Sequence, residues 1–133
     1  MIELTNVELF KSLVGIESDN GFIDLHNDYA CISVQYSLDK KLLEVSFQAV
    51  NSNVVLQFKD AVINKFLLVP KRTEDSCTLN NFYRGRFEAN GELFEYSPIG
   101  ERYYYMEFEE GDAFEILAQQ VFLSKNSSRV IQG

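Results

Sequence analysis

The chain has 133 residues, 46% apolar and 24% charged, and twenty acidic side chains against twelve Lys and Arg give a net charge of −8. This composition is that of a folded globular chain, and no apolar run reaches the ~20 residues that a membrane-spanning helix needs. The acidic balance argues against nucleic acid or an anionic membrane as a direct ligand, because phosphates would be repelled.

Length alone implies one domain over residues 1–133. The opening MIELTNVELF lacks the basic start and continuous apolar stretch of a secretory signal, so a reducing cytoplasm is the expected location. Cys31 and Cys77 are too few for a disulfide framework and read as small buried side chains.

The first element predicted is a helix over about residues 6–14. Thr5 and Glu8 form a T-x-x-E capping box, Leu4 and Leu9 stand where a hydrophobic staple would close, and Gly15 supplies a left-handed stop. From Phe22 the apolar period shortens to two. Ile32, Val34 and Tyr36, then Leu43, Val45 and Phe47, flank a two-residue loop at Asp39-Lys40. That loop pairs Tyr36 with Leu43, Val34 with Val45 and Ile32 with Phe47, three apolar pairs on one face. After the Asn51-Ser52-Asn53 break, Val54, Leu56 and Phe58 keep the same spacing.

Residues 61–69 fit a strand by their β-branched and aromatic content, although Asp60 is a candidate cap for a short helix there. Pro70 ends the segment, and the polar stretch Lys71 to Asn81 reads as a loop. Asn90-Gly91 has the residues of a type I′ hairpin, setting Phe87 opposite Phe94 and Arg86 opposite Glu95. A second hairpin is expected around Glu110-Gly111-Asp112, with Phe108 facing Phe114 and Met106 facing Ile116. The fold class expected is mainly β (α+β): an antiparallel β-sandwich or partly open barrel with one N-terminal helix.

All the excess charge falls within residues 88–115, where nine carboxylates meet only Arg102. The register expected for the second hairpin sets Glu107 directly opposite Glu115, with Tyr103, Tyr105 and Glu109 along the same outward face. Like charges paired across strands destabilise by up to about 1 kcal/mol. A local rule broken without evident relief often marks a functional surface, and tyrosine is enriched at interfaces. The competing reading is a solvated acidic face that preserves solubility and discourages edge pairing.

No catalytic set emerges. The only histidine, His26, lies in Asp24-Leu25-His26-Asn27-Asp28, where a strand would put Asp24, His26 and Asp28 on one face. Ligands so close together enclose a metal poorly, so a polar strand end or turn is the better reading and no metal or cofactor is expected. No serine sits in a G-x-S-x-G context, and no phosphate-binding glycine spacing occurs. Arg84 and Arg86, alternating with Tyr83 and Phe87, resemble a basic–aromatic strand in miniature, but nearby glutamates offset their charge.

The sequence therefore points to a stoichiometric binding module rather than an enzyme. Its partner-binding residues would be Tyr103, Tyr105, Glu107, Glu109, Glu110, Asp112 and Glu115, and its partner a basic protein. The most economical setting is a bacterial immunity or inhibitor protein that neutralises a basic toxin such as a nuclease. The alternative is a carrier that holds a small apolar ligand in a β-barrel cavity lined by some of its eleven Phe and seven Tyr. Oligomeric state stays open.

Overall fold

A computed structural model describes residues 1–8, 11–18, 21–67, 77–85, 87–89, 92–94, 102–109 and 111–127. The strands are β1 (Ile2–Glu3), β2 (Gly15–Ser18), β3 (Gly21–Asp24), β4 (Ala30–Ser37), β5 (Leu42–Gln48), β6 (Ser52–Lys59) and β7 (Val62–Leu67). They continue with β8 (Leu79–Arg84), β9 (Phe87–Ala89), β10 (Glu92–Phe94), β11 (Arg102–Phe108), β12 (Ala113–Ala118) and β13 (Gln120–Ser127). The five-stranded sheet runs β1-β13-β6-β5-β4 and the four-stranded sheet β7-β12-β11-β8, with separate hairpins β2-β3 and β9-β10. All pairings are antiparallel, and among the described residues neither large sheet closes into a barrel.

The two large sheets pack through their inner faces. Leu43, Val45 and Phe47 of β5, with Val54, Leu56 and Phe58 of β6, are fully buried, as the period of two requires. Phe58 meets Phe82 of β8 and Tyr104 of β11 edge-on, at centroid distances of 6.0 and 5.7 Å. These contacts bring the inner faces of the two sheets together. One bent ribbon joins the layers. β13 pairs with β6 up to Gln120–Lys59, and β12 pairs with β7 from Leu117–Val62. Each chain advances three residues between those pairs, so the register is kept through the corner. Asp60 makes the bend with a positive φ of 51°, and Gln119 N–H donates to Lys59 O at 3.0 Å.

The expected N-terminal helix is overturned: residues 5–8 and 11–14 are turn and irregular chain, and Leu9 and Phe10 lie outside the described residues. The local capping pattern loses to long-range pairing. Thr5 Oγ1 accepts a hydrogen bond from Val121 N–H at 3.0 Å, and Tyr104 Oη donates to Thr5 O at 2.9 Å. Leu13 N–H donates to Phe82 O at 2.7 Å, so this segment bonds to the outer edge of β8. Leu4 and Leu13 enter the core, as the helix would also have required. Gly15 opens β2 rather than stopping a helix. An added Cβ there would lie 2.5 Å from Cζ of Phe22, so with any larger residue that half-exposed ring would have to shift.

Elsewhere the period-two reading is largely sound. β4 and β5 pair Tyr36 with Leu43 and Val34 with Val45, but Cys31, not Ile32, faces Phe47. A bulge between Cys31 and Ser33 absorbs the extra residue and leaves Ile32 57% exposed. The connecting turn takes four residues, 38–41, with Lys41 at φ 50°, instead of the two-residue loop. Residues 62–67 form a strand, and the expected loop over 71–81 ends earlier, because β8 starts at Leu79. Phe87 does face Phe94 across β9 and β10, while Asn90-Gly91 and the Arg86–Glu95 pair lie outside the described residues.

Candidate functional site

The outer face of the four-stranded sheet carries the chemistry. β11 alternates from Tyr104 onward: Tyr104, Met106 and Phe108 enter the core, while Tyr105 and Glu107 are partly exposed on the other side. The β11–β12 hairpin turns one residue earlier than its sequence implies. Phe108 N–H donates to Asp112 O at 2.8 Å, so the loop is 109–111 and Gly111, at φ 102°, is its third residue. A three-residue hairpin loop ends in a residue with positive φ, and glycine takes that place without strain. That requirement, rather than the Phe108–Phe114 or Met106–Ile116 pairings, fixes the register. Met106 faces Phe114, and Tyr104 faces Ile116.

This shift of two keeps every side chain on its expected face but changes its neighbours. Glu107 faces Ala113, and Glu115 faces Tyr105, so the two carboxylates are diagonal rather than directly opposed. The diagonal relation puts their Cβ atoms roughly 7 Å apart and relieves part of the expected repulsion. Across the sheet one row reads Tyr83, Tyr105, Glu115, Lys65, and the next reads Asn81, Glu107, Ala113. The rings of Tyr83 and Tyr105 lie 5.3 Å apart at 41°. Glu107 accepts hydrogen bonds from Asn81 Nδ2 at 2.8 Å and from Tyr105 Oη at 3.2 Å. Asn64 Nδ2 donates to Glu115 at 3.4 Å, and a recess of about 150 Å³ opens between Lys65, Tyr105, Ala113 and Glu115.

These donors to Glu107 are neutral, so its negative charge stays on the surface. The tyrosines register that field. Burial first, then the charge of Glu107 and its hydrogen bond, pushes Tyr105 up from 10.0 to about 12. Tyr83 is raised by burial and then by Glu107 and Glu115. Both phenols therefore stay neutral donors at physiological pH. Lys65, opposite Glu115, supplies one compensating positive charge at the end of the row.

Of the expected contact residues, Tyr105, Glu107 and Glu115 come together here, and Glu109 is exposed at the hairpin end. Tyr103 does not contribute contact area: it is on the outward side of the pleat but only 1% exposed, beside Gly85, whose N–H donates to its carbonyl. Alternation sets the side of a sheet, not exposure. Asp112 is 6% exposed at the base of the loop and is withdrawn from the surface, while Glu110 lies outside the described residues. Sequence reasoning missed Tyr83, Asn81, Asn64 and Lys65, because no hairpin links β8 to β11 or β7 to β12. Only the alternation of Tyr83 with Phe82 hinted that β8 presents a ring outward.

The other candidates make local backbone and side-chain contacts. Asp24 Oδ1 accepts the backbone N–H groups of His26 and Asn27, at 3.1 and 2.9 Å, and Oδ2 accepts Asn27 Nδ2 at 2.9 Å. These bonds, led by the Asn27 side chain, lower the Asp24 pKa and make the segment the polar turn expected. His26 Nδ1 lies 2.8 Å from Leu79 O, and no group of three metal-ligating side chains occurs among the described residues. Arg84 donates to Val7 O at 2.8 Å and so anchors the N-terminal segment rather than standing in a basic patch.

The chain matches no protein-family model, no curated protein and no solved structure.

Proposed function

We propose that the protein is a stoichiometric binding module whose outer tyrosine–carboxylate face docks on a basic protein. The observation that carries this reading is the Tyr83–Tyr105 pair, flanked on the same sheet face by Glu107 and Glu115. Paired rings give rigid contact area at low entropic cost, and carboxylates beside them attract and orient Lys or Arg. A guanidinium can stack on either ring and donate to Glu107 or Glu115. The recess between Tyr105 and Glu115 accommodates the head of such a side chain. An acidic inhibitor or immunity protein masking a basic toxin, such as a nuclease, is the setting that best fits a small chain with this face. A cytoplasmic location agrees with that role.

The test is capture from the source cell at low salt, with wild type compared to a Glu107→Lys/Glu115→Lys variant. A basic protein retained one-to-one by wild type and lost by the variant supports the reading. Equal retention by both places the interface elsewhere. The on-rate should fall steeply with added salt, and a salt-independent rate would contradict electrostatic docking.

The carrier reading keeps one specific observation. A recess of about 390 Å³ lies between the N-terminal segment and the β2–β3 hairpin, lined mainly by Ile2, Leu4, Leu13, Ile16 and Phe22. Saturable displacement of a fluorescent fatty acid would support an apolar ligand there, and no binding would remove that alternative.

A further inference from the structure

Strand β4 is one edge of the five-stranded sheet, and among the described residues no strand pairs with its outer side. Sheet edges are normally protected by charge, proline or short length. β4 has eight residues, no proline and no charged side chain. Ile32 and Val34 are 57% and 39% exposed, and Leu38, in the turn that follows, is 77% exposed. Among the described residues the edge is covered at one end, where Cys31 N–H donates to Cys77 O at 2.8 Å beside the bulge.

We propose that this edge joins that of a second copy, two β4 strands pairing antiparallel about a two-fold axis at Gln35. A two-fold interface must be complementary to itself. The segment Ile32-Ser33-Val34-Gln35-Tyr36-Ser37-Leu38 reads the same in chemical class from either end. Pairing about Gln35 sets Val34 against Tyr36 of the second copy and Ser33 against its Ser37 within the strand. The bulged Ile32 and the turn residue Leu38 then stand near each other at the two ends of the contact.

Neighbouring registers fare worse. An axis at Val34 brings Ser37 onto Cys31, where Cys77 already occupies the edge. An axis at Tyr36 sets Ile32 against Lys40, and an axis between residues mixes apolar with polar faces. The nearest strand carboxylate, Glu44, stands opposite Gln35 on β5, which separates the two copies' Glu44 side chains by three strand spacings. That is about 14 Å, beyond the Debye length of about 8 Å at physiological ionic strength. Because β4 lies in the other sheet, this interface leaves the tyrosine face free.

Sedimentation equilibrium of the full chain, from micromolar to millimolar concentration, should show a reversible monomer–dimer equilibrium. Leu38→Lys alters a solvent-facing turn residue and should leave the circular dichroism unchanged. It should weaken the dimer by roughly tenfold or more, since a two-fold contact is changed twice. In a Cys31→Ser/Cys77→Ser background, Gln35→Cys should give a covalent dimer with diamide, which takes one hydrogen from each thiol as the S–S bond forms. Asp39→Cys in the same background should stay monomeric. A monomer at every concentration, a dimer indifferent to Leu38→Lys, or equal cross-linking at residues 35 and 39 would overturn the proposal. A monomeric chain would leave the edge to a strand from a different protein.

Discussion

Thr5→Val is the sharpest test of how the N-terminal segment is held. Thr5 is 4% exposed, and its hydroxyl accepts the Val121 N–H at 3.0 Å. Valine fills nearly the same volume, so no cavity forms, but the buried Val121 donor loses its acceptor. An unsatisfied buried donor costs about 1–3 kcal/mol. With an unfolding entropy of ~2.1 cal/mol/K per residue, 133 residues give about 280 cal/mol/K, and the melting temperature should fall by about 4–11 °C. Thermal and urea unfolding followed by circular dichroism measure this, with an unchanged urea m-value showing that the folded state is intact. Glu8→Ala is the companion variant. Glu8 is exposed in the turn, so its removal should change stability by no more than about 0.5 kcal/mol. A capping box would make both changes cost about 1 kcal/mol, so comparable losses would refute the β13 anchor and restore the helix.

Three further outcomes follow from the packing and the site. Unfolded tyrosine ionises near 10.0 and folded Tyr105 near about 12, so stability should be constant below that window and fall as pH rises through it. Glu107→Gln should lower the Tyr105 midpoint in an ultraviolet titration yet leave it above 10.0, because burial is the larger cause; an unchanged midpoint would contradict the contact. Gly15→Ala should destabilise by driving its Cβ onto Phe22, and Phe22→Ala should relieve it, with a coupling of about 1 kcal/mol in a double-mutant cycle; additive losses would refute the clash. Phe58→Ala should cost about 3–5 kcal/mol in urea unfolding, since the ring is fully buried between Phe82 and Tyr104, and a loss under 1 kcal/mol would mean the layers do not meet there.

What the sequence disclosed was local. Alternation around Val34 and Val45, and the Phe87–Phe94 pair flanking Asn90-Gly91, were legible because a short turn fixes register between adjacent strands. The Cys31–Ser33 bulge left no mark, since a period of two continues through Ile32 without a break. Thr5 and Glu8 have the residues of a cap, but whether a threonine hydroxyl serves its own backbone or Val121 depends on strands more than a hundred residues away. For the candidate face, the outward side of Tyr105, Glu107 and Glu115 was legible from parity. The neighbours that complete it, Tyr83 and Lys65, arrive through pairings between distant segments. Gly111 was read as the middle of its loop, and the position that needs a positive φ moved the facing carboxylates by two.

The corner at Asp60 and Gln119 bears on how the molecule would answer a load. Two continuous chains pass through it with their pairing in step, so this corner offers no slack at which one layer could swing against the other. A pull on the tyrosine-bearing surface is transmitted along the strands themselves into the opposite layer. If the proposed docking holds, stiffness of this origin would let the partner be gripped with little backbone ordering at the moment of contact, which would favour slow release.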